Sequence, residues 1–193
     1  NNLQNTTFQF NTKVAEVSDS EILLANGEKI PTDYTIIATE AEDLIQNLQN
    51  QQLDWKSCQT LYFVAPNRVI QKPFIGLIAN EASLINNIFY HTSLAMKNKG
   101  EGELLSVTVV KQHNLSAESL VSKVQEELRE ECGIGDVRFL KLYDIPKALP
   151  NLENLQYQAP ATETKLTDRI FLAGDGQLNG SLNAAMIAGE TAA

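Results

Sequence analysis

The stretch Ile170-Phe171-Leu172-Ala173-Gly174-Asp175-Gly176-Gln177-Leu178-Asn179-Gly180-Ser181-Leu182-Asn183-Ala184-Ala185-Met186-Ile187-Ala188-Gly189-Glu190 decides the fold. Its first four residues are a short apolar run, which suits a strand buried on both faces of a parallel sheet. Gly174, Gly176 and Gly180 then mark a loop. Ser181 can cap a following helix of small residues. A strand–glycine loop–helix junction offers unpaired backbone N–H groups and the positive end of a helix dipole. That is a natural seat for a phosphate or another electron-rich group. The glycine spacing is a loose relative of the dinucleotide-binding fingerprint. A full fingerprint needs a further strand and an acid about 20 residues on, and the sequence stops first. Asp175 would repel a pyrophosphate that faced it and is better suited to accept hydrogen bonds from sugar hydroxyls. Close packing of a helix on a sheet would account for the Ala and Gly content equally well.

Working outward, residues 1–40 predict strands. Ile22-Leu23-Leu24-Ala25, Asn26-Gly27 and Glu28-Lys29-Ile30 predict a hairpin with both turn residues at positive φ. Val14 and Val17 lie in a third strand, and Tyr34-Thr35-Ile36-Ile37-Ala38 is a second nearly all-apolar run. Residues 41–57 carry Leu44, Ile45, Leu48 and Leu53 at helical spacing and predict a helix leaving one domain. Residues 58–110 switch to a period of two, with strands expected at 58–64, 74–78, 85–90 and 104–110. Strands so closely joined leave no room for crossover helices, so their sheet should be mainly antiparallel.

Residues 116–132 predict a helix capped by Ser116, stapled by Leu115 and Leu120, and stopped by Gly133. Leu120, Val121, Val124 and Leu128 form its apolar stripe. Glu126, Glu127, Arg129, Glu130 and Glu131 are expected on the solvent side. Residues 137–142 predict another strand, which Pro146 and Pro150 should prevent from continuing. Residues 151–169 read as a polar loop with a short helical turn.

The 193 residues are 43% hydrophobic, with a net charge of −9. This composition supports a core and excludes a disordered acidic tail. It leaves no excess cation for a nucleic-acid partner. Cys58 and Cys132 form no CxxC pair and read as reduced thiols of a cytoplasmic protein. No apolar run approaches the roughly 20 residues of a membrane span. His91 and His113 lack ligand-like neighbours, so no metal is expected. Ser57 and Ser106 lack a nucleophile elbow, which argues against a hydrolase. Tyr62, Phe63, Phe89 and Tyr90 are read as core residues rather than walls of a pocket, and Trp55 as packing at a domain junction.

The closing stretch, continued through Thr191-Ala192-Ala193, resembles the closing motif of flavin-containing amine oxidases, protoporphyrinogen oxidases and phytoene desaturases. Lys13-Val14-Ala15-Glu16-Val17, the Asn26-Gly27 hairpin and Tyr34-Thr35-Ile36-Ile37-Ala38-Thr39 resemble the family's middle FAD-binding stretch. Tyr143-Asp144-Ile145-Pro146-Lys147-Ala148-Leu149-Pro150 resembles its return from the substrate domain.

The resemblance implies an α+β chain in two parts. Residues 1–44 and 151–193 would be a remnant of a Rossmann-like FAD domain with a β-meander. Residues 45–150 would be a substrate domain, an antiparallel sheet with a covering helix. It also implies site roles. Val14 would meet adenine through its backbone, and Ala38 and Thr39 would end a strand beside the cofactor. Gly174 and Asp175 would bind the ribityl or pyrophosphate region. Gly180, Ser181, Leu182 and Asn183 would bring helix N–H groups to the flavin ring.

The implied activity is oxidation of a small organic substrate, an amine or a C–C bond to be desaturated, by hydride transfer to FAD. No catalytic acid or base is assigned, since neither Lys72, Lys111 nor Lys141 can be matched to the family's lysine. Residues 1–173 contain no GxGxxG, and the sequence begins without Met and ends inside a helix. It therefore reads as a piece of a longer enzyme that lacks the N-terminal FAD-binding half. On this reading it is apo and inactive alone, and can form a homodimer through exposed apolar surface. A standalone ligand-binding or interaction module is the alternative reading. UDP-sugar mutase-like flavin chemistry shares the closing motif.

Overall fold

The computed structural model describes residues 5–41, 44–45, 54–95, 100–153, 155–158 and 164–193. The chain divides into two units, Asn1–Asp54 with Pro150–Ala193, and Trp55–Leu149. Most of the helix expected over 41–57 lies outside the described residues, and its last positions, 55–57, belong to a strand; of the segment 151–169, where a short helical turn is expected, 154 and 159–163 lie outside them.

In the first unit, β1 (Val14–Val17), β2 (Glu21–Leu24) and β3 (Lys29–Pro31) form an antiparallel meander. The hairpin between β2 and β3 forms where Asn26-Gly27 predicts it, but with a different turn. Only Gly27 has positive φ, at 87°. Gly27 N donates to the Leu24 carbonyl at 2.9 Å, and Leu24 N to the Glu28 carbonyl at 2.9 Å. This is a three-residue loop closed by a left-handed glycine, so Asn26 need not leave the ordinary φ range. Its side chain instead accepts from Glu28 N at 2.9 Å.

β4 (Thr35–Ile37) pairs with β10 (Ile170–Leu172) in parallel, with Thr35 opposite Ile170 and Ile37 opposite Leu172. Val17, Ile37, Ile170 and Leu172 form this unit's core, with Val14 and Ile22 packed on them. α2 (Leu182–Ala192) presents a stripe of Ala184, Ala188 and Ala192, all buried. Residues with no side chain beyond Cβ allow the close approach that the sequence suggested.

The second unit is a five-stranded sheet in the order β6-β7-β8-β5-β9. Its strands are β5 (Trp55–Ala65), β6 (Gly76–Leu77), β7 (Ile85–Tyr90), β8 (Glu103–Val109) and β9 (Arg138–Pro150). The β6–β7 and β7–β8 pairs are antiparallel, as short connections require, and so is the β5–β8 pair, whose strands are separated by β6 and β7 in sequence. The strand expected at 74–78 contracts to two residues. β9, in contrast, runs on through Pro146 to Pro150, against expectation. It lies at the sheet edge, where a residue without an N–H need not break a ladder.

α1 (Ala117–Cys132) covers one face of the sheet. Ser116 Oγ accepts from Ser119 N at 3.2 Å, and Gly133 closes the helix in the left-handed region. Leu120, Val124 and Leu128 meet Leu61, Phe63, Ile85, Ile88, Tyr90, Leu105, Val107 and Val109 in the core. Leu115, the expected staple partner of Leu120, is exposed and is not among the residues packed on this core.

Glu126, Arg129, Glu130 and Glu131 are exposed, as the reading of the acidic run as a solvent face expects, and Glu127 is the exception. It is buried. Its carboxylate accepts from Ser83 Oγ at 2.7 Å, Leu84 N at 2.9 Å and Ile85 N at 3.1 Å. The start of β7 thus gives its free donors to a helix side chain. Nearby, Asn80 Nδ2 donates to Glu131 Oε1 at 2.7 Å, and Lys111 Nζ donates to the Glu81 and Ser83 carbonyls.

A buried acceptor removed from several donors leaves each of them unsatisfied. Glu127→Ala should therefore lower stability by about 3 kcal/mol, and Glu127→Gln, which keeps one acceptor oxygen, by about 1 kcal/mol. Urea denaturation checks this through a lower midpoint at unchanged slope.

Candidate functional site at the carboxyl ends of the parallel strands

The parallel pairing of β4 and β10 brings two predicted segments together. Ala173 N donates to the Ile37 carbonyl at 2.8 Å. Ala38-Thr39 and Gly174-Asp175 therefore leave the sheet side by side from its carboxyl edge. In open α/β sheets that edge is where ligands bind. Ala38 and Thr39 are exposed.

Gly174 has φ +137°, a conformation that side chains rarely adopt, and a Cβ built there would meet nothing within 4 Å. The glycine thus keeps bare backbone facing open space. Asp175 begins a 3-10 turn through Gln177. Its carbonyl accepts from Leu178 N at 3.2 Å and Gly180 N at 3.1 Å. Its half-buried carboxylate makes no hydrogen bond or ion pair among the described residues.

The start of α2 is braced by side chains. Ser181 Oγ accepts from Ala184 N at 3.1 Å and donates to Asn179 Oδ1 at 2.6 Å. Asn179 Nδ2 donates to the Gln156 carbonyl at 2.8 Å, and Gln156 N returns a bond to the Leu178 carbonyl at 3.0 Å. The first intrahelical bond runs from Ala185 N to the Ser181 carbonyl at 3.0 Å. Helix geometry leaves the amides of Leu182 and Asn183 without an intrahelical acceptor.

The expected donor set is thereby sharpened. Gly180 spends its N–H on Asp175, so its part is conformational, with φ +65°. Ser181 organises the helix start, and Leu182 and Asn183 hold the open amides. Val14 lies apart from this group in role, because its side chain packs on the core cluster. The assembly can hold an electron-rich group against two amides, with a carboxylate beside it to accept from hydroxyls.

In the second unit, the sheet face opposite α1 is a further concentration of functional groups. Strand alternation divides the four aromatics that were read together as core. Phe63 and Tyr90 are fully buried on the α1 side, whereas Tyr62 and Phe89 lie half-buried on the other face. His91 sits 5.1 Å from the Phe89 ring and 5.7 Å from Tyr62, and Tyr143 meets Tyr62 edge-on at 5.8 Å. His91 Nε2 and Ser106 Oγ are hydrogen-bonded at 3.0 Å. No carboxylate is bonded to the other nitrogen of His91 among the described residues, so this pair lacks the third member of a nucleophilic triad. The period-two pattern was the signal for this face, but not for which residues share it.

Burial pushes the Tyr90 phenol above its ordinary pKa. Burial, with the Glu131 and Glu127 charges, does the same for the Cys132 thiol. Both groups are held neutral and carry no ionic chemistry near neutral pH. Trp55 begins β5 with Lys147 Nζ 5.6 Å from its ring centroid.

If Ser181 is the brace, Ser181→Ala should lower stability by about 1 kcal/mol, and Ser181→Gly by only a few tenths. Gly180→Ala should cost about 1 kcal/mol through its positive φ. Denaturation midpoints of the three variants test the ranking.

No protein-family profile matches the sequence, and no curated protein matches it. Solved structures share its fold. A protein assigned as a protoporphyrinogen oxidase from an Exiguobacterium species superposes with a TM-score of 0.62 at 16% identity, covering 92% of this chain and 44% of that one. An oxidoreductase from Methanosarcina mazei gives 0.62 at 11% identity, covering 91% and 46%. A reduced UDP-galactopyranose mutase gives 0.59 at 13% identity, covering 76% and 37%. The chain therefore has an α+β fold found in these oxidoreductases and this mutase, and spans less than half the length of each.

Proposed function

We propose that this chain is part of an FAD-dependent oxidoreductase related to the amine oxidases and desaturases. Residues 1–54 with 150–193 would belong to its FAD-binding domain, and residues 55–149 to its substrate domain. The observation that carries this reading is the meeting of Ala38-Thr39, Gly174-Asp175 and the open amides of α2 beyond the carboxyl ends of two parallel strands. Shared fold with oxidoreductases supports it.

The residues fit such a cofactor. Gly174 leaves bare backbone in front of the turn, and Asp175 has a carboxylate free to accept from ribityl hydroxyls. Leu182 and Asn183 offer amides to an electron-rich ring edge or phosphate oxygen. Val14 would contribute main chain only, since its side chain is engaged in the core. A bound flavin would supply hydride acceptance, while the protein binds, orients and excludes water. The pyrophosphate-binding strand–helix unit would come from sequence outside these 193 residues. Ile36 on β4 and Leu182 and Met186 on α2 are exposed apolar groups that such a unit would cover. A mutase reading is favoured by one observation, the fold shared with UDP-galactopyranose mutase.

Two measurements test the proposal. The purified chain should show no flavin absorbance after gel filtration, and strong absorbance that survives would contradict the apo expectation. In the longer protein, an amine or a desaturable substrate should bleach the flavin spectrum anaerobically. Asp175→Ala there should weaken flavin affinity about tenfold, the worth of one charge-assisted hydrogen bond. Bound flavin that no substrate bleaches, while a sugar nucleotide is isomerised, would favour the mutase. A longer protein that binds no flavin would leave a binding module as the correct reading.

A further inference from the structure

Residues 65–80 hold large apolar side chains in solvent. Phe74 is 62% exposed, Ile75 63%, Leu77 76% and Val69 46%. The same segment turns Ile70 and Ile78 onto the core, so it is anchored. Gly76 fixes the direction of the rest. A Cβ on Gly76 would lie 2.7 Å from Ile70 Cδ1 and 3.1 Å from Ile88 Cγ1, so this position faces inward. Side chains alternate across a strand, and Ile75 and Leu77 therefore point away from the core. Gln71 Nε2 donates to the Arg68 carbonyl at 2.7 Å, and Phe74 N to the Lys72 carbonyl at 2.7 Å. Pro73 restricts the backbone between them. The apolar tip is held out by a braced turn.

Charge distinguishes the segment from the rest of the chain. The chain carries a net charge of −9, yet residues 65–80 contain Arg68 and Lys72 and no Asp or Glu. Arg68 Nε lies 3.4 Å from Glu103 Oε2. Lys72 is exposed next to the tip.

We propose that this tip docks on the surface of a lipid bilayer. Phe74, Ile75 and Leu77 enter the boundary between headgroups and acyl chains, and Lys72 meets an anionic headgroup. The four exposed side chains present on the order of 400 Å² of apolar surface, half of what each partner buries in a standard protein interface. That is too little for a stable dimer. β6 is two residues long, too short for strand addition by another chain. No helix among the described residues is long and apolar enough to cross a membrane, and the contact proposed is of the tip with the bilayer surface. The inference does not depend on the flavin reading.

Co-sedimentation with vesicles tests it. In ~0.1 M salt, the chain should pellet with phosphatidylcholine–phosphatidylglycerol vesicles and more weakly with phosphatidylcholine alone. The double variant Phe74→Ser/Leu77→Ser should lose about tenfold in bound fraction on both. Lys72→Glu should lose only the gain from the anionic lipid. The substituted positions are exposed, so thermal melts should stay unchanged. As an independent readout, the emission of a Phe74→Trp variant should shift to the blue on adding anionic vesicles. Absence of wild-type binding to either vesicle, or binding that the double variant retains, overturns the proposal. Self-association without lipid that the double variant abolishes overturns it in favour of a second copy of this chain.

Discussion

Thr35 N donates to the Arg169 carbonyl at 2.9 Å and Ala173 N to the Ile37 carbonyl at 2.8 Å. These bonds bracket the parallel pairing of β4 with β10, strands drawn from opposite ends of the chain. Parallel strands need a crossover, and here the crossover contains the entire second unit. Loop closure costs grow only with the logarithm of length, so an insertion of this size is tolerable. What it requires is that the insert fold on its own contacts. The same pairing sets the site, because two parallel strands deliver both of their carboxyl ends to one edge.

The second unit meets its requirement through a continuous core between α1 and one sheet face. Its least ordinary feature is the Glu127 carboxylate in that core. A buried charge is costly unless hydrogen-bonded. Ser83 and Leu84, just before β7, and Ile85, its first residue, supply donors that would otherwise also be unpaired. Each side therefore satisfies the other, and the helix is tied in register to the loop 80–85. With one sheet face so occupied, the opposite face remains for Tyr62, Phe89, His91, Ser106 and Tyr143.

Much of this was legible in the sequence where local rules act alone. Ser116, Gly133, Ser181 and the Asn26-Gly27 turn each act within a few residues, and each marks the boundary it should. What escaped depends on partners distant in sequence. Glu127 falls on the apolar stripe, three residues after Val124 and seven after Leu120, but what makes a carboxylate tolerable there is decided only when Ser83 and Leu84 are placed against it. The continuation of β9 past Pro146 depends on its lying at the sheet edge, a property of strand order rather than of the proline. Tyr62 and Phe63 show the period of two, but which of them faces α1 is decided by helix placement. At the candidate site, the glycines and Ser181 were legible as a junction. The loss of the Gly180 amide to the Asp175 carbonyl was not, since it depends on the shape of the 3-10 turn.

The site and the uncovered surface of the first unit belong to the same elements. A helix that is apolar on every side is stable between two layers. α2 uses its alanine stripe against one layer and leaves Leu182 and Met186 open. A parallel pair likewise asks for cover on both faces, and Ile36 is exposed on the face opposite Ile37. In open α/β sheets the ligand crevice forms where neighbouring strands part company at their carboxyl ends. One wall of such a crevice is present in Gly174, Asp175 and the first turn of α2. An added strand and helix that covered Ile36, Leu182 and Met186 would be the natural second wall. On the proposed flavin reading, cofactor affinity and burial of this surface would rise together, because the same added elements would supply both.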